Sequence, residues 1–526
     1  MDALISILPV VLLFVLMLGF KVPSYLSALI TFLATVALAV WGAPAMGIIP
    51  ERFAGDSVYS LVGWATAEGA LKAVFPILLI ILMAIYSYNI LVASKSIEVI
   101  KSQFTSFTDD RGVLVLMMVW GFGGLLEGMA GFGTAVAIPA AILIGLGFKP
   151  MFSALVALLG NSVPTAFGAV GVPITTLCNE ISAGGASAQT VCEVSAFAVV
   201  QLAPLFFLIP FVILMLTDHK AWGRNIVLAL WTGAVSLGVQ ILCATRLGAE
   251  TPAIVGSLAA ILAIIIYVKV FAKSKKPEKT ETKFSAGQTF RAWSVYIFIL
   301  VLILLTGALC PPVNGFLRTH LVSQSPLPVI GSTFKFGWIN NAALWLFTGS
   351  VAGGLLQGRT PKQFLKVLTT TIVNLRFTTI TIVCLIALAS VMNYSGMIGA
   401  IAAGLVAVTG SYYPLFAPLI GAIGTFVTGS DTSSNILFGK LQANVAHQLG
   451  MNGTGTFLGF HGSEADWLAA ANSTGATGGK MISPQSIAIA TAACDMKDAD
   501  DAILRRAIPY ALGYIALGGL MVYFSL

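Results

Sequence analysis

The chain has 526 residues, of which 57% are hydrophobic and 9% are charged, and it carries a formal net charge of +7. Because a soluble domain has about 25% charged residues, this composition excludes a water-soluble globular protein and indicates a surface that mainly faces lipid. The largest basic cluster is one linker, 273–291, which is typical of a cytoplasmic loop of a membrane protein and not of a nucleic-acid interface.

Apolar runs of the length that crosses a bilayer follow one another along the chain. They lie at 4–20, 24–42, 72–94, 195–216, 224–243, 251–272, 293–310, 338–356, 367–391 and 504–525. Between them, the stretches 113–180 and 396–494 are apolar but interrupted by Gly, Pro, Ser, Thr and Asn, so each has room for about two or three more crossings. The sequence therefore predicts an all-α, multi-pass membrane protein with about 12 to 14 transmembrane segments.

Basic residues predict the orientation, because loops rich in Lys and Arg remain in the cytoplasm during insertion. The groups expected there are Lys21, Lys95, Lys101, Arg111, Lys220, Arg224, the 273–291 linker, Arg359, Lys362, Lys366, Lys497, Arg505 and Arg506. This arrangement places both termini outside and requires either a re-entrant segment at 396–409 or a shifted span boundary. No basic segment precedes the first span, so no cleaved signal peptide is expected, and Lys72 and Arg376 are expected to snorkel to the interfaces.

The basic linker separates two transmembrane halves, 1–272 and 292–526, which carry similar interruptions. Small and hydroxyl residues recur between the halves at one constant offset, and an Asn-Ser pair followed by a proline recurs at another. The matches are Gly123/Gly421, Gly131/Gly429, Thr134/Thr432, Ile138/Ile436, Asn161/Asn472, Ser162/Ser473, Gly168/Gly479 and Pro173/Pro484. Paired segments broken by Gly and Pro indicate a transporter binding site. We therefore predict two inverted repeats with paired re-entrant or broken helices.

Three polar motifs stand out from the surrounding Leu, Ile and Val, at 127–134, 429–435 and 472–486. In the second, Asp431, Thr432 and Ser433 come directly before a helical pattern, where such residues cap a helix. A helix start presents free N–H groups and the positive end of the helix dipole, which favours a bound carboxylate. A loop that merely uses capping residues is the alternative, but it would carry more charged residues.

The third motif predicts a broken helix in which Gly475, Gly478 and Gly479 unwind the backbone. Lys480 is the single charge in an otherwise uncharged run, and an intramembrane ammonium usually faces a partner or a water-filled cavity. We interpret Lys480 as the partner of a substrate carboxylate. A salt bridge to Asp431 or Glu127 that only stabilises the fold remains the alternative.

Glu127 and Asp431 are the candidates for proton coupling, because a buried carboxyl can be neutral near pH 7 and can release its proton together with an anion. Substrate contacts are expected from the polar residues of the broken stretches. These are Thr134, Asn161, Ser162, Ser430, Thr432, Ser433, Ser434, Asn472, Ser473 and Lys480. The six cysteines and four histidines are dispersed, so no metal site, disulfide or cofactor is predicted.

These motifs resemble those of the L-lactate permease family, and the likeness covers nearly the whole chain. The most specific pieces are 127–133, 146–150, 429–435 and 479–490, with 334–336 and 393–396 also similar. The resemblance implies proton symport of L-lactate across a bacterial inner membrane, with D-lactate and glycolate as further substrates. It also implies an inverted-repeat transporter whose broken elements meet near the midplane and move in an elevator-like manner.

A di- or tricarboxylate transporter coupled to Na⁺ or H⁺ is the nearest alternative, but it would need more positive charge than one lysine supplies. An intramembrane enzyme is disfavoured, because the chain has no H-E-x-x-H, no G-x-S-x-G and no histidine near clustered acids. A channel is a third alternative, and the matched breaks favour alternating access instead.

Overall fold

The computed structural model describes residues 2–526 except 54, 106–107, 109, 132, 183–184, 271–283, 307–309 and 497–498. The described chain is a bundle of helices with two short antiparallel β-hairpins. Within this described part, nine helices are long and apolar enough to cross a bilayer, or up to eleven if two bent helix pairs each form one span. The prediction of an all-α polytopic membrane protein is confirmed.

The first helices, α1 to α7, are Asp2–Ser6, Leu8–Phe14, Ser24–Ala37, Ala43–Met46, Val58–Lys72, Leu79–Ala93 and Ser96–Thr105. The next nine, α8 to α16, are Arg111–Leu116, Gly123–Met129, Thr134–Gly145, Pro150–Asn161, Gly168–Ile181, Ala188–Gln201, Ala203–Thr217, Trp222–Leu247 and Pro252–Val270. Short π-helical runs at Val15–Gly19, Leu38–Gly42, Ala73–Leu78 and Met117–Phe122 join some of them, and 3₁₀ turns lie at Glu51–Phe53 and Val163–Phe167.

In the second half, α17 and α18 are Ala286–Thr306 and Pro311–Thr319, and β1 and β2 are Val322–Leu327 and Ser332–Gly337. Helices α19 to α23 are Ala342–Leu356, Pro361–Tyr394, Met397–Thr409, Tyr413–Thr428 and Asp431–Gln448, with a 3₁₀ turn at Gly410–Tyr412. Strands β3 and β4 are Thr454–Phe457 and Phe460–Ser463, and α24 to α26 are Glu464–Lys480, Pro484–Ala493 and Asp500–Phe524.

The helices form two groups by their packing. Helices α1–α7 and α17–α21 pack on one another, through contacts of α20 with α3 and α5 and of α19 with α6 and α17, and we call them the frame. Helices α8–α16 and α22–α26 form the second group, the core. Residues 112–129 of the core are buried throughout, whereas the frame spans and the outer core helices α15, α16 and α26 are only partly buried, as expected for lipid contact.

Two helical hairpins form the centre of the core. In hairpin A (111–145), α10 folds back on α9, because Gly123 lies against Ala135 and Pro139. In hairpin B (413–448), α23 folds back on α22, and the Ser434 hydroxyl donates to the carbonyl of Gly421 at 2.7 Å. Among the described residues, their tips are at 130, 131 and 133 and at 429–430.

Each hairpin is followed by a broken helix. After hairpin A, α11 and α12 are separated by a 3₁₀ turn and bent by 47°. After hairpin B, α24 ends at Lys480 and α25 begins at Pro484. The order of hairpin, broken helix and spanning helix therefore recurs in both halves. The inverted relation of the halves and the division at the linker, whose residues 273–283 lie outside the described part, stay predictions.

The prediction that Gly475, Gly478 and Gly479 unwind the third motif is wrong. Helix α24 is continuous from Glu464 to Lys480, and the break lies at 481–483. The glycines instead let α24 approach its neighbours closely: a Cβ on Gly475 would lie 1.7 Å from the carbonyl oxygen of Pro418. Small residues at such contacts are characteristic of helix packing in membranes.

Gly475→Ala is therefore expected to destabilise the protein, because the new methyl group would force α22 and α24 apart. Overpacking of this kind costs about 1–3 kcal/mol. Gly513→Ala is the matched control, since nothing lies within 4 Å of a Cβ at that exposed position of α26. Thermal unfolding of the purified variants should show a lower midpoint for Gly475→Ala alone. An equal midpoint in both variants would contradict the close contact.

Three further features differ from the sequence prediction. The span predicted at 72–94 begins much earlier, as α5 at Val58, and continues through a kink at Phe75. The β1–β2 and β3–β4 hairpins were not predicted, because their strands of four to six residues carry no apolar run. The stretch 396–409 forms a separate 13-residue helix, α21, after Gly396 in the left-handed region.

Candidate anion-binding site

A cavity of about 130 Å³ lies where the two hairpin tips and the two helix breaks meet the frame. A single water molecule needs about 10–15 Å³ of cavity volume, so this cavity has room for a small molecule. The core contributes Glu127, Gly131, Gly133, Thr165, Gly168, Ala169, Val172, Pro173, Thr428–Ser433, Lys480, Gln485, Ser486 and Ile489. The frame contributes Ser24, Ile81, Thr378, Thr381 and Ile382.

Glu127 and Lys480 form a buried ion pair at the cavity wall. The Lys480 Nζ donates to Glu127 Oε1 at 2.7 Å, although the two residues are 353 positions apart. The Glu127 side chain is 2% exposed and that of Lys480 is 11% exposed. The second carboxylate oxygen, Glu127 Oε2, is buried and has no hydrogen-bond partner in the described part of the structure. One oxygen of a buried acid is thus left available to a proton or a ligand.

Asp431 is the second buried carboxylate, at the first position of α23. The hydroxyl of Ser473 donates to both of its oxygens, at 3.2 and 3.4 Å. Asp431 lies within electrostatic range of both Lys480 and Glu127. The cavity therefore combines two acids with one base on three different elements, and their charges are coupled to one another.

Helix N-termini surround the same cavity. Ser430 caps α23 by accepting from the backbone N–H of Ser433 at 3.2 Å. Ser483 caps α25 in the same way through Ser486, which lines the cavity. The first turns of both helices contribute residues to the cavity wall, and the free N–H groups and positive dipole end of a helix N-terminus favour an anion there.

The backbone at the start of α12 is strained beside the cavity. Ala169, Val170 and Gly171 have φ values of 45°, 59° and 75°. The left-handed region is unfavourable for a β-branched residue, and residues held in this way cluster at functional sites. This turn ends the 3₁₀ segment and redirects the chain, so that Ala169 and Val172 both line the cavity.

Six of the predicted site residues line the cavity. They are Glu127, Ser430, Asp431, Thr432, Ser433 and Lys480. Ser473 lies one layer behind them and orients Asp431. The hydroxyl of Thr134, at the start of α10, donates to the backbone carbonyl of Gly131, and Gly131 lines the cavity.

The other four predicted residues lie away from the cavity wall. They are Asn161, Ser162, Ser434 and Asn472. Asn472 is fully buried and joins the core elements: it donates to Asn435 Oδ1 at 2.9 Å and accepts from Gln442. Within hairpin B, the Ser434 hydroxyl donates to the carbonyl of Gly421. The Ser162 hydroxyl donates to the carbonyl of Leu159. Asn161 is also buried, but its Oδ1 has no hydrogen-bond partner in the described part of the structure.

The frame side of the cavity was not predicted. Thr378 and Thr381 place hydroxyl groups there, and Ile81 and Ile382 place apolar groups. The available signal is the run of threonines within the α20 span, which is weak because helical threonines commonly bond to their own backbone, as Thr381 does to Phe377. Gln485 and Ser486 lie within the third motif but were not singled out. Among the described residues, no group of three metal-ligating side chains occurs.

Comparison with known proteins identifies close relatives over most of the chain. The sequence profile of the L-lactate permeases matches residues 2–526. An L-lactate permease of Streptococcus iniae is 36% identical over 86% of this chain and 92% of its own length. The glycolate permease GlcA of Escherichia coli is 31% identical over 99% of this chain and 95% of its own length. An L-lactate permease of the same bacterium is 29% identical over the same shares.

A solved structure shows a similar fold at low sequence identity. The YdaH transporter of Alcanivorax borkumensis aligns with 95% of this chain and 98% of its own, with a TM-score of 0.52 and 13% identity. The likeness at that identity concerns the fold alone. The relatives described above are named as permeases, which confirms that the chain is a multi-pass membrane protein and not an enzyme. A bacterial inner membrane fits these bacterial relatives.

Proposed function

This chain belongs to the L-lactate permease family, and on that premise we propose that it is a secondary active transporter that takes up L-lactate together with a proton. D-lactate and glycolate, which are also small 2-hydroxy-monocarboxylates, are further substrates. Relatives named as lactate and glycolate permeases support this substrate class. The proposal needs no bound cofactor besides the coupling proton.

The cavity has complementary groups for each part of such a substrate. Lys480 and the N-termini of α23 and α25 suit the carboxylate, because both supply positive charge and N–H donors. The hydroxyls of Thr432 and Thr378 can bond to the 2-hydroxyl group. Ile81 and the other isoleucines of the wall suit the methyl group of lactate, or the smaller hydrogen of glycolate.

The charges at the cavity favour binding of a proton together with the substrate anion. With Glu127, Asp431 and Lys480 ionised, the site has one excess negative charge before any substrate binds. A bound carboxylate doubles that excess in a buried place, where an uncompensated charge is costly. One proton bound to either acid restores the original charge. Binding the anion and the proton together is thus favoured over binding the anion alone.

The same charges favour a monocarboxylate over a di- or tricarboxylate. Among the residues described, Lys480 is the one basic side chain that lines the cavity. A second carboxylate group would lie between two acids without a counter-charge. Since frame and core both contribute to the wall, movement of the core relative to the frame would expose the substrate to each side in turn, which is an elevator-like mechanism by analogy.

Uptake of radiolabelled L-lactate into proteoliposomes tests the coupling ion. An inward proton gradient without sodium is expected to drive accumulation, because protonation offsets the substrate charge. A sodium gradient at equal pH on both sides is the matched control and is expected to give only equilibration. Accumulation driven by sodium alone would contradict proton coupling and point to a cation near the unpartnered Oδ1 of Asn161. Accumulation of citrate but not of lactate would contradict the substrate class.

A further inference from the structure

A second group of charged side chains lies between the frame and the core, away from the central cavity. Glu68 and Lys72 are on α5 of the frame, and Arg52 is in the 3₁₀ turn before it. Glu180 is at the end of α12 in the core, and Lys440 is in the middle of α23. Lys440 is within electrostatic range of the other four. The central site uses none of these five residues.

The frame part of this group is fixed by hydrogen bonds. Glu68 is 5% exposed and accepts from Ser390 at 2.9 Å, from Tyr394 at 3.1 Å and from Ser332 of β2 at 3.2 Å. Lys72, which was expected to snorkel, lies 3.4 Å from the same carboxylate. With four partners, Glu68 is held in place and its charge is already compensated.

The core part is not fixed in this way. Glu180 and Lys440 are both half-buried, and neither has a hydrogen bond or an ion pair within 4 Å among the described residues. They act on each other and on Lys72 only through longer-range electrostatics. A lysine ammonium has three donors, and those of Lys440 have no protein partner among the described residues. This arrangement suits an anionic ligand that reaches Lys440.

The group lies on the elements that also line the central cavity. From Pro173 to Glu180, helix α12 rises about 10 Å, and from Asp431 to Lys440, α23 rises about 14 Å. The two helices pack side by side between these points, since a Cβ on Gly439 would lie 2.4 Å from Leu177. The predicted orientation places this end of α12 and α23 on the outer side. The charged group therefore lies between the outside and the central site.

Its charges attract an anion. Arg52, Lys72 and Lys440 are basic and Glu68 and Glu180 are acidic, which leaves one excess positive charge on the outer side of a central site with one excess negative charge. We propose that Lys440, with Lys72, forms an outer binding station that holds the carboxylate of an incoming monocarboxylate before it reaches Lys480. This inference rests on the proposed function. Charged clefts of this kind raise the local substrate concentration and its on-rate.

The kinetics of L-lactate uptake by intact cells test the station. Lys440→Gln is expected to raise the KM for external lactate about tenfold, the lower end of what a charged cleft contributes, and to change Vmax less than twofold. Glu180→Gln is expected to lower the KM, because it removes the acid that competes for Lys440. Lys440→Arg keeps the charge and should remain within twofold of the wild type. Lys335→Gln is the matched control, since exposed Lys335 in β2 is not among the charges that act on Glu180 or Lys440.

The directions of the KM shifts in Lys440→Gln and Glu180→Gln decide whether the station exists. Opposite shifts of KM in Lys440→Gln and Glu180→Gln support the station. Shifts in the same direction would overturn it, because they would mean that the two residues act as a latch between conformations. An unchanged KM in Lys440→Gln alongside normal wild-type uptake would overturn the station alone. Absence of lactate uptake by the wild type would overturn the proposed function and the station with it.

Discussion

Lys480→Ala is expected to reduce L-lactate uptake at least about 100-fold, because it removes the one basic side chain that lines the described cavity wall. Breaking a buried charge pair costs about 3–5 kcal/mol, and every 1.4 kcal/mol corresponds to a factor of ten. Two consequences contribute: the substrate carboxylate loses its counter-charge, and Glu127 loses the donor at 2.7 Å. Initial rates in proteoliposomes with a fixed proton gradient measure the effect.

A second variant separates the substrate role of Lys480 from a structural one. In the double variant Glu127→Gln/Lys480→Gln, both charges of the pair are removed, so neither member is left as an unpaired charge, and Asp431 keeps its hydrogen bond from Ser473. If Lys480 only compensates Glu127, this variant should recover folding, and its lactate exchange at equal pH should equal that of Glu127→Gln alone. If Lys480 binds the substrate, folding recovers but uptake by exchange stays far below that of Glu127→Gln. Recovery of uptake would therefore contradict the assignment of Lys480 as the carboxylate partner.

Asp431→Asn is expected to abolish accumulation of lactate in response to a proton gradient while lactate exchange continues. Asparagine has nearly the same shape and keeps an acceptor for the Ser473 hydroxyl, but it does not bind and release a proton. The test compares accumulation under a pH gradient with exchange of internal unlabelled lactate for external labelled lactate at equal pH. Exchange requires binding and reorientation of the loaded carrier and no net movement of protons.

Glu127→Gln, assayed in the same way, identifies which acid carries the proton. Loss of accumulation in one variant and its retention in the other would assign the proton to the first. Asp500→Asn is the matched control, because Asp500 is exposed in the first turn of α26 and lies outside the cavity. If both Asp431→Asn and Glu127→Gln still concentrate lactate in response to pH, the coupling residue lies elsewhere.

The strongest sequence signals were local ones. The membrane class follows from composition. The hydroxyl residues after Gly429 correctly indicated a capped helix start, but the cap is Ser430, and the predicted capping residues Asp431, Thr432 and Ser433 lie in the first turn of α23. Lys480 and the two acids stood out because a charge is costly within an apolar span. Each signal is contained in a window of a few to about twenty residues, and no packing partner needs to be known.

The glycines of α24 show where local signals fail. A cluster of three glycines lowers the helix propensity of an isolated segment, and this led to the wrong prediction of an unwound backbone. In the fold, Gly475 and Gly479 lie against α22 and Gly478 lies against α26, and these close contacts favour a continuous helix. Tertiary packing overrides propensity here because a helix that lacks side chains on one face can bring two backbones together.

The sequence by itself determined that this protein lies in the membrane, that its halves carry matching interruptions and that three buried charges are available for chemistry. Only the tertiary structure decided which of these groups meet. Glu127 and Lys480 are 353 residues apart, and the frame threonines reach the cavity from α20. Propensity, capping and hydropathy act over neighbouring residues, whereas a site between two hairpins depends on how all the helices pack, and that information is distributed over the whole chain.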